Sequence, residues 1–199
     1  MINLNRFEIK FVDNYSNIKN ILKILKDKNF NICFPNRKIS SIYFENSDQK
    51  IYLETEEGIT PRKKIRIRYY NNNLKKINLE LKETVSYNRK KSVSNLSSFH
   101  FKKIEKFGYW DKKYGLCLPK IIVEYERIYL INNLNNLRVT VDFNLSFGLH
   151  GGIFKKKIHD LIIELKTSKL QNVSYLDDVL SSKRRRYSKY LRGFDEVVI

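Results

Sequence analysis

The run Lys63-Lys64-Ile65-Arg66-Ile67-Arg68-Tyr69-Tyr70-Asn71-Asn72-Asn73, with Leu79-Glu80-Leu81-Lys82 just beyond it, decides the fold class of this chain. Successive side chains of a β-strand point to opposite faces, so Ile65 and Ile67 look one way and Arg66 and Arg68 the other. Leu79 and Leu81 stand opposite Glu80 and Lys82 in the same manner. The asparagines between the two runs suit a turn, because Asn tolerates left-handed backbone. The pattern predicts a hairpin with one apolar and one ionic face.

The alternation recurs outward in both directions. Arg6–Phe11 sets Phe7, Ile9 and Phe11 against Arg6, Glu8 and Lys10. Leu137–Leu145 sets Arg138, Thr140 and Asp142 against Leu137, Val139, Val141 and Phe143. Asp160–Thr167 sets Glu164 and Lys166 against Ile163 and Leu165. Lys38–Glu45, Lys120–Leu130 and the run from Val85 to Val93 read as further strands. Ile18, Ile21, Leu22 and Leu25 recur at helical spacing and predict a helix from about Tyr15 to Lys28. Ser97–Phe107 reads as a helix ended by Gly108. Ser174–Leu180, with Asp177 and Asp178, reads as a short surface helix before a basic tail, Lys183–Arg192. Asp48–Gly58 is ambiguous, and Gly58 with Pro61 marks a turn. With no repeat, linker or composition shift, residues 1–199 read as a single domain. Many strands and few helices predict a predominantly antiparallel sheet or barrel.

Hydrophobic residues make up 42% of the 199 and charged residues 30%, which supplies a packed core and excludes global disorder. The net charge of +18, from 39 Lys and Arg against 21 Asp and Glu, calls for an anionic partner. Nucleic acid, an anionic membrane and a polyphosphate-like ligand all fit the charge. No RNA- or DNA-binding motif is present, so nucleic acid is not the expected partner. Cys33 and Cys117 lack metal spacing and read as reduced, buried residues. His100, His150 and His159 show no ligand spacing, and no Gly-Lys-Ser/Thr follows Gly148 or Gly151-Gly152. Lys155-Lys156-Lys157 reads as a solvated run and Trp110 as core or loop packing. The first residues lack an apolar signal segment, and no apolar run approaches the roughly 20 residues of a membrane span. A soluble, cytoplasmic chain is expected, meeting a membrane only through its surface or a membrane-associated partner subunit.

The ionic strand faces admit two readings. Antiparallel sheets commonly bury one face and wet the other, which makes Glu and Lys at i and i+2 ordinary surface pairs. Alternatively, a closed barrel of about eight strands holds the ionic face inward and the apolar face outward under flanking helices. Inward Lys and Arg then need a counter-charge, which a chain of phosphates supplies.

The ordered series Arg6-Phe7-Glu8-Ile9-Lys10, Ser41-Ile42-Tyr43-Phe44, Arg66-Ile67-Arg68-Tyr69, Leu79-Glu80-Leu81-Lys82, Glu124-Tyr125-Glu126-Arg127, Arg138-Val139-Thr140-Val141-Asp142, Ile163-Glu164-Leu165-Lys166 and Tyr187-Ser188-Lys189-Tyr190-Leu191-Arg192-Gly193 spans nearly the whole chain. It resembles the VTC (vacuolar transporter chaperone) domain, the polyphosphate polymerase branch of the CYTH-like triphosphate tunnel metalloenzymes. The resemblance implies an α+β fold: a closed eight-stranded antiparallel β-barrel, the triphosphate tunnel, with flanking helices. It implies a phosphotransferase that moves the terminal phosphate of ATP onto inorganic polyphosphate with Mn²⁺ or Mg²⁺. Lys10, Arg66, Arg68, Lys82, Arg138, Lys166 and Lys189 correspond to its phosphate-binding bases, and Ser188 to a hydroxyl donor. Glu164 corresponds to the metal ligand, while Glu8 and Glu80 support the metal or pair those bases. Arg127 corresponds to a tunnel-facing arginine. At 89–91 strand parity puts Arg89 and Lys91 together and leaves their register open. The basic run from Lys183 to Arg186, directly before Ser188-Lys189, fits a tunnel mouth. The superfamily opens on Glu-x-Glu-x-Lys; Arg6 at the first position matches the polymerase branch and removes one metal carboxylate. A related hydrolase of triphosphate or organic polyphosphate, a non-catalytic polyphosphate-binding module and a basic nucleic-acid binder are the competing functions.

Overall fold

The structure, a computed structural model, describes residues 7–86, 88–134, 136–168, 174–177, 180 and 182–199; Arg6 and Asp178 lie outside them. The elements are β1 (Phe7–Asn14), a 3-10 turn (Tyr15–Asn17), α1 (Ile18–Asp27), β2 (Asn31–Glu45), α2 (Lys50–Glu56), β3 (Arg62–Tyr70), β4 (Asn73–Val85), β5 (Asn88–Leu96), α3 (Ser98–Phe107), β6 (Tyr109–Asp111), β7 (Gly115–Asn132), β8 (Leu137–Leu149), β9 (Lys155–Ile158), β10 (Asp160–Thr167), β11 (Lys183–Arg184) and α4 (Lys189–Val197).

The antiparallel sheet is as expected, but the closed barrel of eight strands is not. Among the described residues the sheet has 11 strands in the hydrogen-bonded order β11-β1-β10-β8-β7-β2-β3-β4-β5, with β6 on β7 and β9 on β8, and the order does not close on itself. β11 is Lys183-Arg184, and β5 carries Arg89, Lys90 and Lys91 along an exposed strand. The strands beyond eight include the short β6, β9 and β11, each too brief to show a period of two.

The residues fall into two compact units. The first holds the chain up to Arg37, Tyr125–Leu145 and Lys157–Tyr187. There β1 pairs with β10 and β10 with β8, in the registers Ile9–Leu165–Val139 and Phe11–Ile163–Val141. This apolar face packs with Ile21 and Leu25 of α1 in a core that also takes Phe30, Leu137 and Leu161. Each such side chain contributes about 1.5–3 kcal/mol. The opposite face of the same strands is ionic, with Glu8 against Lys166 and Arg138, and Lys10 against Glu164 and Thr140.

The second unit holds Lys38–Glu124, Ser146–Lys156 and Ser188–Ile199. Asn71 and Asn72, at φ 51° and 54°, form the tight turn between β3 and β4. Ile42–Ile67–Leu79 share one face, and Tyr43–Arg66–Glu80 the other. The ambiguous stretch after Asp48 contains α2. Its capping residue is Gln49, without a side-chain cap, and Glu45 accepts from the amides of Ile51 and Tyr52 instead. A cap reaching from the preceding strand lies outside the local capping pattern. The basic tail contains α4, whose Ser188 hydroxyl accepts from the Leu191 amide at 3.3 Å. Ser174–Asp177 is a turn, so the described part of the expected 174–180 helix is not helical.

Two smaller expectations fail. Cys33 is exposed, since the first half of β2 lies in solvent; Cys117 is buried. Trp110 is exposed, standing on the outer face of the short β6. Lys155–Lys157 are exposed, as expected of a solvated run, and lie in the short strand β9. No helix among the described residues is long and apolar enough to cross a membrane.

Gly193 sits in α4 where a Cβ would lie 2.7 Å from the Phe147 ring and 3.1 Å from Ile121. Gly193→Ala gains helix propensity but overpacks a fully buried contact, so we expect a net loss of about 1–2 kcal/mol in urea unfolding. Unchanged or greater stability contradicts this packing.

Candidate functional site

Each unit carries an ionic strand face with a buried carboxylate at its centre. In the second unit Glu80 is 3% exposed. Its Oε2 accepts from Arg66 Nε at 2.8 Å and Nη2 at 2.5 Å, and its Oε1 from Lys91 Nζ at 2.9 Å. Arg68 Nη1 lies 3.9 Å away. Arg66 also donates to the Tyr43 hydroxyl at 2.9 Å, and Arg68 Nε donates to Ser41 Oγ at 3.1 Å. Burial acts to raise the Glu80 pKa, but Arg66, Arg68 and Lys91 outweigh it and hold the carboxyl at about 2. Burial likewise acts to raise Tyr43, and Arg66, Arg68 and Lys189 bring it below its ordinary value. A hydroxyl acidified by cations marks a strongly positive surface.

The registers Lys64–Lys82–Lys91 and Arg62–Thr84–Arg89 put Lys64, Lys82, Arg89 and Lys91 on the same face as Arg66, Arg68 and Glu80. Cations therefore far outnumber the carboxylate there. Lys64 donates to Ser188 Oγ at 3.0 Å, and its ammonium lies over the Tyr190 ring. Tyr190 in turn bonds to Glu45, the acceptor that also caps α2. Glu45 thereby ties α4, with Ser188 and Lys189 at its start, to β2.

In the first unit Lys166 Nζ lies 2.5 Å from Glu164 Oε1, and Lys10 Nζ lies 3.9 Å from Glu164 Oε2 and 3.2 Å from Glu8 Oε1. Lys10 also donates to the Tyr187 carbonyl at 3.0 Å. Burial acts to raise Glu164, while Lys166, Lys10 and Arg127 outweigh it and hold it at about 2. Arg127 donates through two nitrogens to buried Asp142 and lies over the Tyr125 and Tyr129 rings. Arg138, paired in register with Lys166, is exposed. A solvent-open cavity of about 310 Å³ is lined by Glu8, Ile9, Lys10, Arg184, Arg185 and Arg186.

No three His, Cys, Asp or Glu residues among those described gather as metal ligands. The donors present nonetheless fit a hard cation. Glu164 and Glu8 are carboxylates around one lysine, and Thr140, in register with Glu164, has a buried hydroxyl with no hydrogen-bond partner among the described residues. One or two carboxylates, completed by substrate oxygens and water, suit Mg²⁺ or Mn²⁺. Glu80 has both oxygens engaged by cations, Oε2 by Arg66 and Oε1 by Lys91. Thr140, Ser41, Tyr43 and Glu45 were not marked as functional in the sequence. Strand parity was the available signal for the first three, which alternate with apolar neighbours beside marked residues. His100 and His150 bond to Ser97 and Glu105.

The family model described as VTC domain matches residues 5–198. Similar solved structures include a proposed adenylate cyclase from Bacillus halodurans, 13% identical over 94% of this chain and 96% of that one, TM-score 0.66. Another is a proposed adenylyl cyclase from Hippeastrum, reported to have a dominant triphosphatase activity, 13% identical over 97% and 98%, TM-score 0.59. A third comes from Pyrococcus horikoshii, 14% identical over 96% and 99%, TM-score 0.58. At these identities the likeness establishes the fold. No curated protein matches the sequence.

Both carboxylates stand at about 2 against an ordinary 4.5. The stability they contribute is present above pH 4.5 and lost as pH falls toward 2. Glu80→Gln leaves Arg66 and Lys91 without their carboxylate and is expected to cost about 3 kcal/mol at pH 7. Its pH dependence below 4.5 should be shallower than that of the wild type, and added tripolyphosphate should restore much of the loss. Thermal melts across pH check this; an unaltered melting temperature contradicts it.

Proposed function

The chain belongs to the VTC domain family, and on that premise we propose that it is a metal-dependent polyphosphate polymerase, moving the terminal phosphate of ATP onto a growing inorganic polyphosphate chain. The observation that carries this reading is the gathering of cations on two strand faces: Lys64, Arg66, Arg68, Lys82 and Lys91 on the face of Glu80, and Lys10 and Lys166 beside Glu164. So many like charges on one face favour an anionic ligand. A phosphate chain brings a repeating charge and acceptor oxygens that suit bidentate arginine and point-charge lysine.

Phosphoryl transfer asks a protein for in-line placement and for stabilisation of charge on the transferring group. Lys10, Arg66, Arg68, Lys82, Arg138, Lys166 and Lys189 bind phosphate oxygens. Arg89, Lys91, Arg127 and Ser188 make further contacts along the chain. Glu80 holds the Arg66 fork and Lys91 in place, and Asp142 does the same for Arg127. Glu164, with Glu8, would hold Mg²⁺ or Mn²⁺, which when bound neutralises developing charge on the phosphate oxygens. The acceptor oxygen of a polyphosphate end attacks the γ-phosphorus of ATP, the bond to the β-phosphate oxygen breaks, and ADP leaves. That acceptor is already anionic, so no general base is needed. A second reading is a triphosphatase, favoured by the activity reported for the Hippeastrum protein: water would take the acceptor position on the same bases.

The test incubates the pure protein with ATP, Mn²⁺ and a short polyphosphate primer and resolves the products by gel. Lengthened chains are expected; free phosphate alone supports the triphosphatase, and neither product with retained binding supports a non-catalytic module. Glu164→Ala should lower turnover at least about a hundredfold while tripolyphosphate binding stays within about threefold. Undiminished turnover in that variant refutes the metal assignment.

A further inference from the structure

The second unit carries an apolar outer surface that its core does not use. Along β7, Cys117 and Ile121 point inward and are fully buried, while Leu116 and Leu118 point outward and are about half exposed. Both lie over Gly108, where a Cβ would meet their side chains at 2.8 and 2.9 Å. Trp110 pairs in register with Leu116 and is 72% exposed, and Phe107, next to Gly108, is 62% exposed. On α3, Phe99, Lys103 and Phe107 follow at spacings of four, so the apolar surface continues along the helix's exposed side. The turn after β8 is tied to the same strand, His150 N donating to the Lys120 carbonyl at 2.9 Å, and it leads to Ile153 and Phe154, 92% and 88% exposed.

The rim is basic. Lys102, Lys103 and Lys106 are exposed on α3, the Lys106 ammonium lying over the Phe107 ring. Lys112 is exposed in the turn after β6, and exposed Lys155 and Lys156 follow Phe154 directly. Asp111 is buried on Lys63, and Glu105 faces His150. Exposed indole and phenyl rings with lysines around them have the composition of a surface that enters the headgroup layer of a bilayer. We propose that this surface docks the protein on an anionic lipid membrane, the aromatic rings entering the interface and the lysines meeting lipid phosphates and carboxylates. A second copy of the chain fits poorly: each copy carries a net charge of +18, so pairing would set one lysine rim against another. The inference does not depend on the polymerase reading.

Trp110 is the sole tryptophan, so its fluorescence reports on this surface in the unaltered protein. The full chain is mixed with phosphatidylcholine vesicles and with vesicles holding a large share of phosphatidylserine. Co-sedimentation with the second and not the first is expected, with a blue shift of Trp110 emission and about twofold or greater protection from acrylamide. Ile153→Ser/Phe154→Ser keeps the tryptophan and should bind these vesicles about tenfold or more weakly, as should Lys103→Glu/Lys106→Glu. Absence of any Trp110 change on anionic vesicles overturns the proposal, and so does full-strength sedimentation of both variants, which assigns lipid binding to the phosphate-binding strands. Burial of Trp110 by self-association without lipid, or by a single-stranded oligonucleotide but not by vesicles, overturns it in favour of a second copy or a nucleic acid.

Discussion

Two buried carboxylates, Glu80 and Glu164, organise the ionic strand faces by gathering cations around them. Glu80 answers Arg66, Arg68 and Lys91, and Glu164 answers Lys10 and Lys166. Each carboxylate is driven to full ionisation by the cations around it. The strands that carry these groups turn their opposite, apolar faces to the cores, so the ionic faces are a deliberate second surface. Charge on both sides of a strand would leave no core, and apolar residues on both sides would leave no site.

The buried acid Glu45 shows how the second unit is organised around that surface. Burial raises its pKa despite bonds from Tyr190 and from the amides of Ile51, Asn46 and Tyr52. It accepts from two amides of a helix whose N-cap residue, Gln49, makes no side-chain cap, beside Asn46, which accepts from Lys50 N, and it receives the tyrosine of a second helix. That second helix begins at Ser188 and Lys189, and its Gly193 allows close approach to Phe147. The Ser-Lys-Tyr-x-Arg-Gly ending thus combines a helix cap, an aromatic anchor and a packing glycine with two residues proposed to touch phosphate. Cys117, by contrast, has its thiol pushed up to about 12 by burial and by the charges of Asp111 and Glu45, which leaves it chemically inert.

The strands and their faces were legible because period-two alternation is written locally. Ile65 and Arg66, or Glu164 and Leu165, declare opposite directions without any neighbour. The Asn71-Asn72 turn was legible for the same reason. Closure was not: whether the end strands of a sheet join depends on partners far away in sequence. Two helices were missed for different reasons. α2 takes its cap from Glu45, a tertiary contact, whereas α4 had a readable signal in Ser188 and in Tyr190 and Phe194 four apart, obscured by the density of basic residues. Arg89 and Lys91 show the limit of parity, which placed them together but needed the Lys82–Lys91 register to fix their face. The exposure of Trp110 was invisible in sequence, because a three-residue strand has no period to show which way its side chains point.

The most direct test of the central claim is a crystal structure of the protein with tripolyphosphate and Mn²⁺. The account predicts phosphate density against Arg66, Arg68 and Lys166 and an anomalous manganese peak beside Glu164. Phosphate found only on outward lysines such as Lys102 and Lys157, with the Arg66–Glu80 and Lys166–Glu164 pairs untouched, would contradict it.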